Sequence, residues 1–260
     1  MLAFALACAQ PEEAPPEFSD AARYGLEHFD DAEADALAVP IASLVDQIDS
    51  TLDMDSTVSA DRSLELEVLT GSEVEGIEHP DRDPAAAVPP VALARDSVFP
   101  IEDHVSVAMR DDLSPMEPNS PTLYARTILE GEDCFADRSC LFMRTTNDVL
   151  KENALILMSV QYELLKDYRW VEMDDGSWAM AARSWMPESA TGEDGGTTLW
   201  QSFTFEMFVP QGDGTLRMMA LWAETELSIE VSEDAVATTQ LVGIDDIFKA
   251  HDEWLTENGG

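Results

Sequence analysis

Hydrophobic and polar positions alternate most clearly in the second half of the chain. In TLWQSFTFEMFV, Phe203, Phe205, Met207 and Val209 fall on one side of an extended segment, and Ser202, Thr204 and Glu206 fall on the other. A period of two gives a strand one buried face, so the pattern predicts the apolar side inward and the polar side in solvent. Glu224 and Glu226, on a neighbouring predicted strand, are expected in solvent too. Six further segments rich in aromatic, β-branched and Met residues recur from about Thr122: LYARTILE, LFMRTTNDVL, ALILMSVQYELL, DYRWVEM, SWAMAARSWM and TLRMMALWAETEL. Turn chemistry separates several of them. Asp175-Gly176 and the run PQGDGT place glycine where a tight hairpin requires positive φ. Seven strands joined in this way predict an antiparallel sheet.

Helical spacing flanks the strands. Ile41, Leu44, Val45 and Ile48 recur at i, i+3, i+4 and i+7 behind Pro40, which is acceptable at a first helical position. Ser19 is a candidate N-cap for an earlier helix carrying Ala22, Leu26 and Phe29. At the C-terminus, Ile244, Ile247, Phe248, His251, Trp254 and Leu255 form one stripe, and Asn258 with Gly259 supplies a stop. From Asp53 to Pro121, prolines at 80, 84, 89, 90, 100, 115, 118 and 121 interrupt any long element. That stretch reads as irregular, with one strand in HVSVAM.

The expected fold is α+β: an antiparallel β-rich C-terminal domain with a covering C-terminal helix, short N-terminal helices and an irregular Pro-rich segment. Residues 1–18 read as signal remnant, anchor site and tether, 19–121 as short helices and a wrapping segment, and 122–260 as the sheet domain. Strands followed by a final helix resemble helix-grip ligand-binding folds, although the helix read here is short and the N-terminal half has no counterpart there. Fold alone does not fix function.

Charge narrows the partners. The 260 residues carry 53 acidic and 14 basic side chains, a formal net charge of −39, spread along the chain. Nucleic-acid binding needs clustered Lys and Arg that release counterions, and no such cluster occurs. Anionic membrane surfaces are disfavoured for the same reason. The acidity reads as a solvated face, suited to salty surroundings where a Debye length of about 3 Å at 1 M salt screens the repulsion, with cation binding as the other use.

Three cysteines raise a question of compartment. Cys134 and Cys140 flank FADRS, a spacing that suits a local disulfide contributing about 2 to 3 kcal/mol, with unpaired core thiols as the other use. Zinc would need four ligands, and no histidine lies nearby. A disulfide implies an oxidising compartment and leaves Cys8 without a partner. In MLAFALAC, ALAC places small Ala7 directly before Cys8. This N-terminus resembles a bacterial lipoprotein signal ending in a lipobox, which implies lipidation of Cys8, AQPEEAPPE as a flexible tether, a membrane-anchored protein and an extracytoplasmic location in the cell envelope. It departs from the pattern at Ala5, where Leu is usual, and in lacking Lys or Arg between Met1 and the apolar run. No later stretch approaches the 18 apolar residues of a membrane-spanning helix.

Chemical motifs are sparse. His28, His79, His104 and His251 form no metal-ligand spacing. The alternating acids from Asp53 to Asp61 lack the Gly and Glu of a calcium loop, with Val58 and Leu64 in those places. No nucleophile elbow, phosphate loop or dinucleotide fingerprint is present, so neither metal nor cofactor is expected. All six tryptophans lie in the C-terminal part. Trp178, Trp185, Trp200, Met207, Met218 and Trp222 are therefore the candidates to line an apolar ligand site, set against a reading in which they pack solidly. The expected role is a non-catalytic binding or scaffold domain, for an apolar small molecule or an envelope protein. The rival is an extracytoplasmic hydrolase, which needs two carboxylates with separated pKa values.

Overall fold

A computed structural model describes residues 15, 17–31, 35–153, 158–193 and 195–259; Cys8 and the signal-like segment lie outside them. In chain order the elements are α1 (Phe18–Glu27), α2 (Asp35–Thr51), β1 (Ser63–Leu64), β2 (Val91–Ser97), α3 (Ile101–Ala108), β3 (Leu123–Glu130), β4 (Phe142–Asn153), β5 (Met158–Glu172), β6 (Trp178–Trp185), β7 (Ala190–Thr191), β8 (Thr197–Gln211), β9 (Gly214–Leu227) and α4 (Glu233–Asn258). The strands form one antiparallel sheet in the order β1-β2-β9-β8-β6-β5-β4-β3, with β7 paired to β8. β2, the first long strand, pairs with β9, the last, from Val91 opposite Leu221 to Ser97 opposite Thr215. The fold is α+β, with a C-terminal helix, as the sequence pattern implies.

Both faces of the sheet are covered. Phe203, Phe205 and Met207 of β8, Met218, Ala220 and Trp222 of β9 and Ala181 and Trp185 of β6 pack beneath Ala22, Leu26, Phe29, Leu37, Ile41 and Leu44 of the N-terminal helical layer. The alternating apolar residues of β8 are thus inward, and the N-terminal helices are what they face. The fit is close at Gly25 of α1, where an added Cβ would stand 2.5 Å from the Phe205 ring. Arg183 Nη2 reaches Asp30 just beyond α1 at 2.6 Å and Asp167 of β5 at 2.9 Å, and Arg169 donates to the Phe29 carbonyl at 2.7 Å. These contacts tie the end of the α1 layer to the sheet.

The opposite face lies under α4 and α3. Ile244 and Phe248 pack on Val91 and Leu93 of β2, Leu255 joins Tyr124 and Val149, and Ile101 and Val105 pack with Met180 and Phe208. Four departures from the sequence reading have simple causes. HVSVAM belongs to α3, because Ile101, His104, Val105 and Ala108 also satisfy helical spacing and are buried together behind Pro100. ALILMSVQYELL and DYRWVEM are not two strands: described from Met158, they run on as β5, with only Lys166 between them and no turn residue. VALARDS is a strand without alternation because its neighbours pack on both sides: Val91 and Leu93 toward α4, Ala92 and Ala94 toward the N-terminal layer. α4 is also longer than its apolar stripe, beginning after Ser232, whose side chain accepts from the Ala235 N–H at 3.3 Å.

α4 is fixed by one carboxylate. Asp245 receives Arg62 and Arg95 at 2.8 Å each and Lys249 at 2.6 Å, joining the segment before β1, strand β2 and the helix itself. The side chains of Arg62 and Asp245 are each 1% exposed. Burial alone would push the Asp245 carboxyl up, but Lys249, Arg62 and Arg95 hold it down at about 2. An unfolded Asp titrates near about 3.9, so this stabilisation is complete above that pH and is lost as the pH falls toward 2. Asp245→Asn leaves Arg62 buried without its countercharge and is expected to cost about 2 to 3 kcal/mol in urea unfolding at pH 7. The parent and variant should converge near pH 2. Equal stability at pH 7 would contradict the role given to Asp245.

Candidate functional site

Between the first half of α4 and the sheet lies a cavity of about 180 Å³. Its floor is built by register. Lys166 of β5 stands opposite Ser184 of β6, and Ser184 stands opposite Thr204 of β8. Glu206, two residues beyond Thr204, shares its face. Lys166 Nζ donates to both Glu206 oxygens at 2.6 and 2.8 Å, Thr204 Oγ1 donates to Glu206 at 3.2 Å, and the Ser184 and Thr204 hydroxyls are 2.7 Å apart. Glu206 is only 4% exposed. The expectation that it faces solvent is therefore corrected: the period of two distinguishes the faces of β8, and both faces of this sheet are covered.

Around the polar strip the walls are apolar. Leu199, Met219, Leu221 and Leu227 come from β8 and β9, with Val231, Val236, Ile244 and Ile247 from α4 and the approach to it. Two more charged groups border the space, Lys151 of β4 and Glu117. Burial lowers the Lys151 ammonium below its ordinary range, against the opposing influence of Glu117. For Lys166 burial acts in the same direction, but the Glu206 carboxylate prevails and raises it. Tyr124 and Tyr162 are raised by burial, with Glu117 adding to both. Glu117 is 3.9 Å from His251 Nε2, beyond hydrogen-bond distance. Both Glu206 oxygens accept from Lys166. Among the described residues no group of three His, Cys, Asp or Glu is placed to hold a metal ion.

The aromatic and methionine residues singled out in the sequence are divided between places. Trp185, Met207, Met218 and Trp222 lie together in the layer beneath α1 and α2, on the other face from the cavity, and the Trp222 indole donates to the Glu67 carbonyl at 2.9 Å. Trp178 packs beside Met180 and Phe208. Trp200 lies at the surface under the Arg82 guanidinium, 4.6 Å from its ring centre, and donates to Glu226 at 3.2 Å. Arg82 also pairs with Glu224, whose exposure is thereby reduced. Cys134 and Cys140 form a disulfide with Cα atoms 5.2 Å apart. It borders an open groove of about 460 Å³ with Phe29, Asp30, Trp170 and Trp178. The groove is larger than the cavity, yet the buried Lys166–Glu206 pair and Lys151 belong to the cavity. Lys151 and Lys166 were missed by the sequence reading, and the signal that could have found them is scarcity: the chain contains three lysines, and two line this space.

No family model matches the sequence, and no curated protein matches it. Among solved structures, a STAR-related lipid transfer protein fragment from Xanthomonas axonopodis is similar at TM-score 0.42 and 13% identity, covering 64% of this chain and 85% of that one. A START superfamily protein from Mycobacterium smegmatis gives TM-score 0.38 and 15% identity, over 65% of this chain and 97% of that one. Human StAR-related lipid transfer protein 5 gives 0.39 and 8%, over 65% and 76%. At TM-scores below 0.5 these likenesses carry no argument about the ligand, and the cavity stands on its own geometry.

Glu206→Gln leaves the Lys166 ammonium enclosed without its counterion and is expected to lose about 3 to 5 kcal/mol at pH 7. A raised lysine stabilises fully below its unfolded value near about 10.4 and loses that contribution as pH rises through the folded value. The gap between parent and variant should therefore narrow above pH 10.5. Urea melts at pH 7 and 11 measure it, and a gap that widens in alkali would refute the assignment.

Proposed function

We propose that the chain is a non-catalytic binding domain that holds a small, largely apolar molecule between α4 and the sheet. One observation carries this reading: a partly open cavity with apolar walls and a compensated polar strip between α4 and the sheet, where a close-packed core would leave none. Protein interiors pack at a density of about 0.75, and voids larger than a water are few. Native mass spectrometry after exposure to an envelope lipid extract should find a retained molecule. Val236→Trp, which fills the roof from the exposed half of α4, should abolish retention without unfolding the chain. Failure of the parent to retain any molecule would overturn the reading.

We further propose that this domain is tethered to the cell envelope through a lipid on Cys8. The support is the ALAC sequence, the Pro- and Glu-rich run after it, and a Cys134–Cys140 disulfide of the kind that persists in oxidising compartments. None of the described helices is long and apolar enough to cross a membrane. Expressed with its native upstream sequence in a lipoprotein-processing bacterium, the protein should fractionate with membranes, and Cys8→Ser should release it. Unchanged fractionation of the variant, or no mass increase from acyl chains, would remove the anchor.

A further inference from the structure

The charges around the cavity do not balance in place. Four ionisable carboxylate and ammonium groups line it, Glu117, Lys151, Lys166 and Glu206. Lys166 and Glu206 close on each other at 2.6 and 2.8 Å. Glu117 lies nearest His251, across 3.9 Å. Lys151 makes no ion pair among the described residues, and Glu117 is the charge that acts on it. Lys151 is half-buried, and an ammonium turned into a cavity without a direct countercharge is conspicuous in a chain that places only three lysines in 260 residues, against 53 acids. The third, Lys249, is engaged by Asp245 at the surface of α4. Both lysines not used to fasten that helix face the cavity.

We propose that the ligand is an amphiphile with one negative charge, its carboxylate on Lys151 and its chain along Leu199, Leu221, Leu227, Val231 and Val236. This inference rests on the binding reading above and names the ligand class for the same site. Size limits the chain. The cavity, about 180 Å³, is below the roughly 300 to 1,000 Å³ of sites for drug-sized molecules and slightly above the about 150 Å³ apolar cavity that accepts benzene. It suits about eight to ten non-hydrogen atoms, the range of hexanoate to octanoate. The acidic surface adds selectivity, because a polyanion meets strong repulsion before it reaches Lys151, whereas a single charge on an apolar chain is drawn in by burial.

The test is calorimetric titration of the full chain at pH 7 with octanoate, 1-octanol and octylammonium, and the same set at six carbons. The parent should bind the carboxylate at least tenfold more tightly than the alcohol, and the ammonium most weakly. Lys151→Met should erase the preference for carboxylate while leaving the alcohol bound, and Lys151→Arg should retain much of it. Circular dichroism establishes that each variant is folded. If the alcohol binds the parent as well as the carboxylate, or the ammonium binds best, the ligand class is wrong while the cavity reading survives; this comparison needs no variant. If the preference persists in folded Lys151→Met, the head lies elsewhere and the assignment to Lys151 is overturned. If none of the probes binds the parent, both readings fall.

Discussion

A sheet with a continuous apolar face must cover it, and here that requirement is met by the N-terminal helical layer. Phe203, Phe205, Met207, Met218 and Trp222 are all buried under α1, α2 and the segment that follows. Fully burying a large apolar side chain contributes about 1.5 to 3 kcal/mol, so this layer carries a large share of the core. The face under α4 is thereby released from carrying the whole core. It can afford the hydroxyls of Ser184 and Thr204 and the Lys166–Glu206 pair, which in a sheet covered on one side only would sit in solvent.

The few cations of this acidic chain are concentrated where layers meet. Arg62, Arg95 and Lys249 converge on Asp245, where α4 meets β2. Arg217 pairs with Asp252 of α4 at 2.8 Å and donates to the Phe248 carbonyl at 3.1 Å. Burial lowers the Arg217 guanidinium to about 10, although Asp252 resists that shift. Arg144 and Arg183 share Asp167 beneath the end of α1. With 53 acids against 14 bases, most carboxylates have no such partner and remain a solvated, mutually repelling surface. Ion pairs between exposed groups are worth little, whereas these junctions join elements remote in sequence, and breaking one strands a buried charge.

What could be read from the sequence followed from periodicity. The alternation of β8 and the stripe Ile244, Phe248 and Leu255 placed their elements correctly because one face of each is uniformly apolar, and the Asp175-Gly176 hairpin did so because Gly176 adopts the positive φ the turn needs. β2 was not legible, since a strand packed on both faces loses its alternation, and α3 was not, since eight residues satisfy two periods at once. The cavity was invisible for a different reason. Its floor consists of polar residues, Lys166, Ser184, Thr204 and Glu206, drawn from three strands. Period two separates these from the apolar face without saying which layer lies above them. Trp and Met density pointed instead to Trp185, Met207, Met218 and Trp222, the residues that make the opposite layer solid.

The placement of the cavity follows from how unevenly α4 is held. Its buried residues begin at Ile244 and continue through Asp245, Phe248 and Leu255. Every strong junction lies in that second half: the three cations on Asp245, and Arg217 on Asp252. Before Ile244 the helix contributes Val236, Thr239, Gln240 and Gly243 to the roof, none of them fully buried, while Ala237 and Leu241 pack partly buried against Val91 and Leu93. Gly243 marks the change. It is a weak helix former, and a Cβ there would stand 3.1 Å from the Asn119 amide, so the backbone comes close to its neighbour where the fastened half ends. Local stability follows buried contacts, which makes the roof cheaper to displace than the anchored half. A helix fastened in this way keeps its cavity in register while leaving the roof as the side on which a ligand meets least resistance.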